Sequence, residues 1–258
     1  MAEELQELKN KSFKGLPLSV VIITCKEDES FLRGCLGSIP RGTEVVIAYT
    51  EPANVTDYNV VQENRFRLDT SYSMLLSNLE VIELKIEFPQ RDLNLSKCRN
   101  IAKSFAQRPL ILMLDTDERV SMPMEIIQEL NKLAVEDTTA AYYVLINNYG
   151  DATKTGWNSS PQIRLFRNLP NIEYRNRIHE SLQTSLKNGN YQSGLVPITI
   201  THLGYNVRDK ATLLRKLARN NMGMFKDLAE RPEDMYLTER LYTSLKTLYD
   251  IGEIKTPW

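Results

Sequence analysis

The strongest constraint on the fold is the run Leu110-Ile111-Leu112-Met113-Leu114, which passes without a spacer into Asp115-Thr116-Asp117-Glu118. A short, uninterrupted apolar run is the pattern of a strand covered on both faces. It ends where the acids begin, so a buried strand delivers three carboxylates to its own carboxyl end. In open α/β sheets that is the edge where ligands collect.

The rest of the first half fits the same plan. Leu18-Ser19-Val20-Val21-Ile22-Ile23-Thr24, entered from Pro17, is a second buried strand; Phe31, Leu32, Cys35, Leu36 and Ile39 then recur at helical spacing before Pro40. Residues 44–49 (EVVIAY) form another strand, residues 58–79 are expected to be helical, and residues 81–88 return to a strand. Cys98, Ile101, Ala102, Phe105 and Ala106 share a helix face, with Ser96 as the expected N-cap. Alternation of this kind predicts an α/β fold with a mostly parallel central sheet flanked by helices.

After a helix over residues 123–133 the texture changes. Residues 140–146 and 161–166 are expected strands around a loop rich in Gly, Asn and Ser, and residues 195–201 form another. Beyond Arg208, two apolar stripes (Leu214, Leu217, Ala218, Phe225; then Leu237, Leu241, Leu245, Leu248) predict a pair of helices separated at Pro232. The chain therefore divides into a main domain over residues 1–206, with residues 1–16 as an N-terminal extension, and a C-terminal helical extension over 207–258.

Composition narrows the function. Lys+Arg 32 against Asp+Glu 33 leaves a net charge of -1, which argues against binding through a global positive field. No apolar run approaches the roughly 20 residues of a spanning helix, and no signal-peptide core follows the charged N-terminus. The three cysteines, Cys25, Cys35 and Cys98, lack paired spacing, so neither a disulfide framework nor a structural zinc site is expected, and a cytoplasmic location is. The P-loop, the Gly-rich dinucleotide turn and the Gly-x-Ser-x-Gly elbow are all absent, which disfavours a kinase, a simple dehydrogenase and a serine hydrolase.

Carboxylates crowded at a strand end repel unless a cation lies between them, and hard oxygen ligands suit Mg²⁺ or Mn²⁺. A solvated turn that starts the next element is the competing reading. The chain's two histidines sit in compact contexts, Arg177-Ile178-His179-Glu180 and Ile200-Thr201-His202-Leu203-Gly204-Tyr205. His202 follows an apolar strand as Asp115 does, so it can join a carboxylate–metal shell or serve as a hydrogen-bonded structural residue. Glu180 is a candidate general base. Among the basic residues, Arg164, Arg167, Arg175 and Arg177 are the better phosphate candidates, while Arg208, Lys210, Arg215, Lys216 and Arg219 suit an exposed helix face.

The ordered series LSVVIITCKEDE (18–29), NLSKCRN (94–100), Asp115-Thr116-Asp117-Glu118, QIRLFRN (162–168), His179-Glu180 and ITHLGY (200–205) resembles family 2 glycosyltransferases of GT-A fold. The likeness is greatest to the branch with lipopolysaccharide-core and peptide-modifying (SunS-like) enzymes, and it extends to Lys216 and Arg219-Asn220 in the tail. It implies inverting, metal-dependent transfer from a nucleotide-diphosphate sugar, a UDP-sugar being favoured, with Mn²⁺ or Mg²⁺ as cofactor. Thr24, Lys26, Glu27, Arg99, Asp115 and Arg164 would contact the donor, and Asp117 and His202 the metal. Glu180 would be the catalytic base, and His179 and Trp157 candidate acceptor contacts. Where the family commonly carries an acid and Gly-Ser-Thr-Asp, this chain has Tyr49-Thr50-Glu51-Pro52-Ala53. That leaves Glu51 as a substitute acid, or Tyr49 as a ring stacked on the base. A protein that binds a nucleotide sugar or glycan without turnover is the alternative. The acceptor stays open among glycan, peptide and modified nucleobase, and the tail among sheet cover, homo-oligomer surface and partner site.

Overall fold

Strand β1 (Leu18–Thr24) is the centre from which the molecule is built, and all but one of its side chains are buried. It pairs in parallel with β2 (Glu44–Ala53) on one side and β5 (Leu110–Asp115) on the other. The computed structural model describes residues 15–25, 29–62, 72, 76–90, 92–135, 139–148, 158–203 and 210–254. Among them nine strands form one sheet in the order β3-β4-β2-β1-β5-β8-β7-β9-β6. The other strands are β3 (Asn59–Gln62), β4 (Glu80–Pro89), β6 (Glu118–Ser121), β7 (Thr139–Asn148), β8 (Asn158–Arg167) and β9 (Gln192–His202).

The sheet is mixed rather than mostly parallel, which corrects the expectation from sequence. The pairs β1–β2, β1–β5, β2–β4 and β7–β9 are parallel. The pairs β3–β4, β5–β8, β6–β9 and β7–β8 are antiparallel. The physical reason is connectivity: β1 reaches its parallel neighbour β2 through a helix, whereas β3 and β4, and β7 and β8, are consecutive strands that lie antiparallel.

Two apolar layers enclose the sheet. One packs Leu32, Leu36 and Ile39 of or just beyond helix α1 (Glu29–Gly37), with Leu130 and Leu133 of a later helix, against Val20, Ile22, Leu112 and Leu114. The other packs Cys98 and Ala102 of helix α2 (Leu95–Ser104) against Val21, Val46 and Met113. Helix α2 begins differently from expectation. Asn94 is its N-cap, with Oδ1 accepting from the Lys97 N–H at 2.9 Å, while the Ser96 hydroxyl donates to the Asn176 carbonyl. Helix α3 (Met124–Val135) and the short α4 (Gln183–Asn188) complete the main body.

Two stretches fall outside the sequence reading. Residues 59–62 are an edge strand instead of helix, and residues 118–121 pair as β6. The tail is helical as expected. Helices α5 (Lys210–Glu230) and α6 (Met235–Asp250) pack through Met224, Leu228, Leu237, Leu241 and Leu245. Gly223 lets α5 lie directly on Ile178, where a Cβ would meet that side chain. No helix among the described residues is long and apolar enough to cross a membrane. Cys35 and Cys98 are buried thiols.

Candidate functional site

The carboxyl end of β5 carries Asp115, after which the chain turns through Thr116-Asp117 and re-enters the sheet as β6. Strand β6 pairs antiparallel with the end of β9 so that Glu118 stands opposite His202, and the Leu203 N–H donates to the Asp117 carbonyl at 2.9 Å. This seam brings His202 Nε2 to 3.2 Å from Asp117 Oδ2. Both side chains keep access to solvent, at 20% and 24% exposure. Burial alone lowers the basicity of His202, but Asp117, Glu118 and Asp115 outweigh it and hold the imidazole above its ordinary value.

A buried ionic cluster lies beside this pair. The Arg99 guanidinium donates to Asp115 Oδ1 at 2.8 Å and to Glu180 Oε1 at 2.9 Å, joining the base candidate to the strand end. Its Nη1 is buried and lacks a hydrogen-bond partner among the described residues, as does the Tyr174 hydroxyl, whose ring lies under the same guanidinium. Arg164 donates to Glu118 Oε1 at 2.8 Å and approaches Asp115 Oδ2 at 3.5 Å. Burial works against ionisation of Asp115, yet Arg99 and Arg164 overcome it and hold that carboxyl well below the usual range. Glu118 goes the other way. It is 1% exposed, burial pushes its carboxyl up to about 7, and it accepts from the Asp115 N–H at 2.8 Å. The three acids of the strand end therefore part company: Glu118 braces the turn from within, while Asp115 and Asp117 face the edge.

The turn is tied to helix α1 by Arg119. Its guanidinium donates to the carbonyls of Thr116, Glu118 and Phe31. It lies over Gly34, where an added Cβ would run into it.

Several sequence-derived candidates land elsewhere. Thr24 is 2% exposed and its hydroxyl donates to the Cys25 carbonyl, so its side chain lines no open surface. Tyr49 is buried in the core and donates to Glu83 Oε1 at 2.7 Å, which removes its ring from any stack on a base. Glu51 stays half open beside Lys85, 3.3 Å away. Arg164, Arg167, Arg175 and Arg177 do not converge into a phosphate patch. Arg167 is 1% exposed, Arg175 is on the surface, and Arg177 binds Asp92 at 2.8 Å and Glu230 at 3.2 Å. His179 adopts a positive φ of 58°; burial first, then the charge of Arg240, holds its imidazole below the ordinary value. Lys26, Glu27 and Trp157, with Arg208, lie outside the described residues, as do the side chains of Lys210 and Lys216.

Sequence reasoning passed over Asn148. Its Oδ1 meets His202 Nδ1 at 3.0 Å, and its only signal in the sequence was membership of a polar loop.

No family model matches this chain. It is 31% identical over 153 residues to a TPR repeat-containing protein of Synechococcus elongatus, a match that takes in 57% of this chain and 36% of that protein's length. Among solved structures it is similar to Staphylococcus aureus TarS 1-349 in complex with UDP-GlcNAc, with a TM-score of 0.45 and 13% identity over 90% of this chain and 72% of that one. It is also similar to the mannosyltransferase PcManGT of Pyrobaculum calidifontis in complex with GDP-Man and Mn²⁺, with a TM-score of 0.46 and 12% identity over 98% and 83%.

Proposed function

We propose that this chain is an inverting glycosyltransferase that moves a sugar from a nucleotide-diphosphate sugar to an acceptor with the help of a divalent cation. The observation that carries the reading is the meeting of Asp117 and His202, 85 residues apart in the chain, with side-chain ligand atoms 3.2 Å from each other. Ligands at 2.0–2.1 Å on adjacent corners of an octahedron stand about 2.8–3.0 Å apart, and the pair, at 3.2 Å, is a little wider than one edge of a Mg²⁺ shell. Among the described residues, no group of three His, Cys, Asp or Glu side chains is placed to hold a metal ion, so Asp117 and His202 would be the protein's share of the shell. A cation held there supplies charge neutralisation to a leaving diphosphate.

The chain's own groups divide the remaining tasks. Asp115, fixed in its ionised form by Arg99 and Arg164, accepts hydrogen bonds from donor hydroxyls. The spare Nη1 of Arg99 offers a buried cationic donor to an anionic ligand. Glu180 takes the acceptor proton as the new bond forms. Its hydrogen bond from Arg99 also favours the second reading, a nucleotide-sugar binder without turnover, because one carboxylate oxygen is already engaged by the guanidinium.

Incubation with UDP- and GDP-sugars and Mn²⁺ separates the two. Transferase chemistry gives free nucleoside diphosphate, abolished by chelation and reduced roughly 100-fold or more in Asp117→Ala. Binding seen by calorimetry without any release, with or without candidate acceptors, establishes the second reading. Undiminished release in Asp117→Ala removes the metal pair from the mechanism.

A further inference from the structure

Glu180 is delivered by an unusual turn. Residues 176–180 form a loop closed at its base by Arg175 and Ser181, whose backbones exchange hydrogen bonds of 2.9 and 3.0 Å. Within it Asn176 and His179 hold φ angles of 73° and 58°. Left-handed residues with a Cβ are uncommon, and two in one short loop persist only where the surroundings dictate the backbone. Helix α2 supplies one set of restraints. The Leu95 N–H donates to the Arg177 carbonyl at 2.9 Å, and the Ser96 hydroxyl donates to the Asn176 carbonyl.

Helix α5 supplies the other. Gly223, Asp227 and Arg231 are spaced four apart, so they follow one helical face, and they touch Ile178, Arg177 and Asn176 in turn. Gly223 leaves room for the Ile178 side chain. Asp227, 4% exposed, accepts from the Arg177 N–H through Oδ2 at 2.6 Å. Arg231, just past the helix end, donates to Asn176 Oδ1 at 2.8 Å, while its own N–H still donates to the Asp227 carbonyl. The tail helix thus runs antiparallel to the turn and meets three of its residues one by one. Glu180 follows two positions on from Ile178, and Arg99 engages its carboxylate at 2.9 Å.

We propose that helix α5 is part of the site's scaffold, with Asp227 as a positioning residue that fixes the 176–179 turn and through it the carboxylate of Glu180. Without that acceptor the Arg177 N–H loses its partner, and the turn loses the restraint opposite α2. A reacting group displaced by about 1 Å can cost about 100-fold in rate. The consequence for turnover rests on the reading of Glu180 as the base; the hold of α5 on the turn does not.

Hydrogen exchange of the full chain, read amide by amide by NMR, tests the hold directly. In Asp227→Ala the Arg177 amide should exchange about 10-fold or more faster, with β1 and β5 unchanged. Asp227→Asn, whose amide oxygen still accepts, should stay near the native rate. Gly223→Ala, which forces α5 off Ile178, should loosen the same amide by a different route. With UDP- or GDP-sugars and Mn²⁺, Asp227→Ala should lower kcat for nucleoside diphosphate release about 10- to 100-fold at unchanged donor KM. Asp227→Asn should recover most of that loss. In a Glu180→Gln background, Asp227→Ala should lower the rate no further, because its effect passes through that carboxylate. Native exchange at Arg177 in both Asp227→Ala and Gly223→Ala overturns the proposal. So does a full additional loss of rate in the Glu180→Gln background. A loosened turn together with a release rate indifferent to Glu180→Gln upholds the hold of α5 and removes Glu180 as the base instead.

Discussion

The cluster of Arg99, Arg164, Asp115, Glu118 and Glu180 and the cluster of Arg177, Asp92, Asp227, Glu230 and Lys226 are made of much the same residue types. The first lies at the sheet edge under Tyr174, with Glu118 and Glu180 at 1% and 11% side-chain exposure. The second ties helix α5 to the main body and opens to water through Asp92 and Glu230, at 39% and 63%. In the first, Glu118 and Glu180 have exchanged water for a guanidinium, and only Asp115 keeps substantial contact with solvent, at 33%. In the second, water can replace a lost partner at Asp92 and Glu230, while Asp227 is buried. The same chemistry is thus a fixed scaffold in one place and a fastening in the other.

The difference can be broken most directly at Arg99. Arg99→Met leaves Asp115 and Glu180 facing a neutral side chain, and loss of one partner from a buried pair costs about 3–5 kcal/mol. Urea unfolding should show that loss, along with loss of any nucleotide-sugar turnover. Arg177→Met should cost less by the same measurement, since two of its three carboxylate partners, Asp92 and Glu230, are exposed and worth little each. Equal costs for the two variants would erase the distinction between scaffold and fastening.

A smaller effect sharpens it. Burial raises Glu118 from 4.5 to about 7, so the folded chain keeps that proton where the unfolded chain has lost it. Its contribution is therefore greatest below 4.5 and declines as pH rises toward 7. Asp115 has the opposite sign: its depressed carboxyl stabilises the fold above the ordinary range near 3.8, and that part is lost only on strong acidification. Glu118→Gln should flatten the pH dependence of the urea midpoint between about pH 5 and 7 and leave the acid limb in place. A variant with the native slope would show that Glu118 is ionised throughout.

What the sequence disclosed follows physical signal strength. Strands β1 and β5 were legible because continuous apolar runs bounded by Pro17 and by Asp115 admit little else. The edge strands β3 and β6 were not, since four polar-mixed residues carry no period; their pairing is imposed by β4 and β9. Asn94 and Ser96 are both good caps, and only the packing of the Ser96 hydroxyl on Asn176 decides between them. At the site, strand ends predicted that Asp115 and His202 share a rim, and the family resemblance set Asp117 beside His202. Spacing could not say that Glu118 turns inward, that Tyr49 belongs to the core, or that Arg177 serves the tail, because those depend on neighbours remote in sequence.

Gly34 gives the acidic turn an unlooked-for dependence. On a solvent-facing helix, exchanging glycine for alanine is ordinarily a gain of roughly 1 kcal/mol. Here the absent methyl is the berth in which the Arg119 guanidinium rests while it gathers three carbonyls from the turn and the helix. A methyl at position 34 would evict that guanidinium, so a change that firms the helix would slacken the loop bearing Asp117. Thermal robustness and the set of the acidic turn are opposed at a position that lies outside the turn itself.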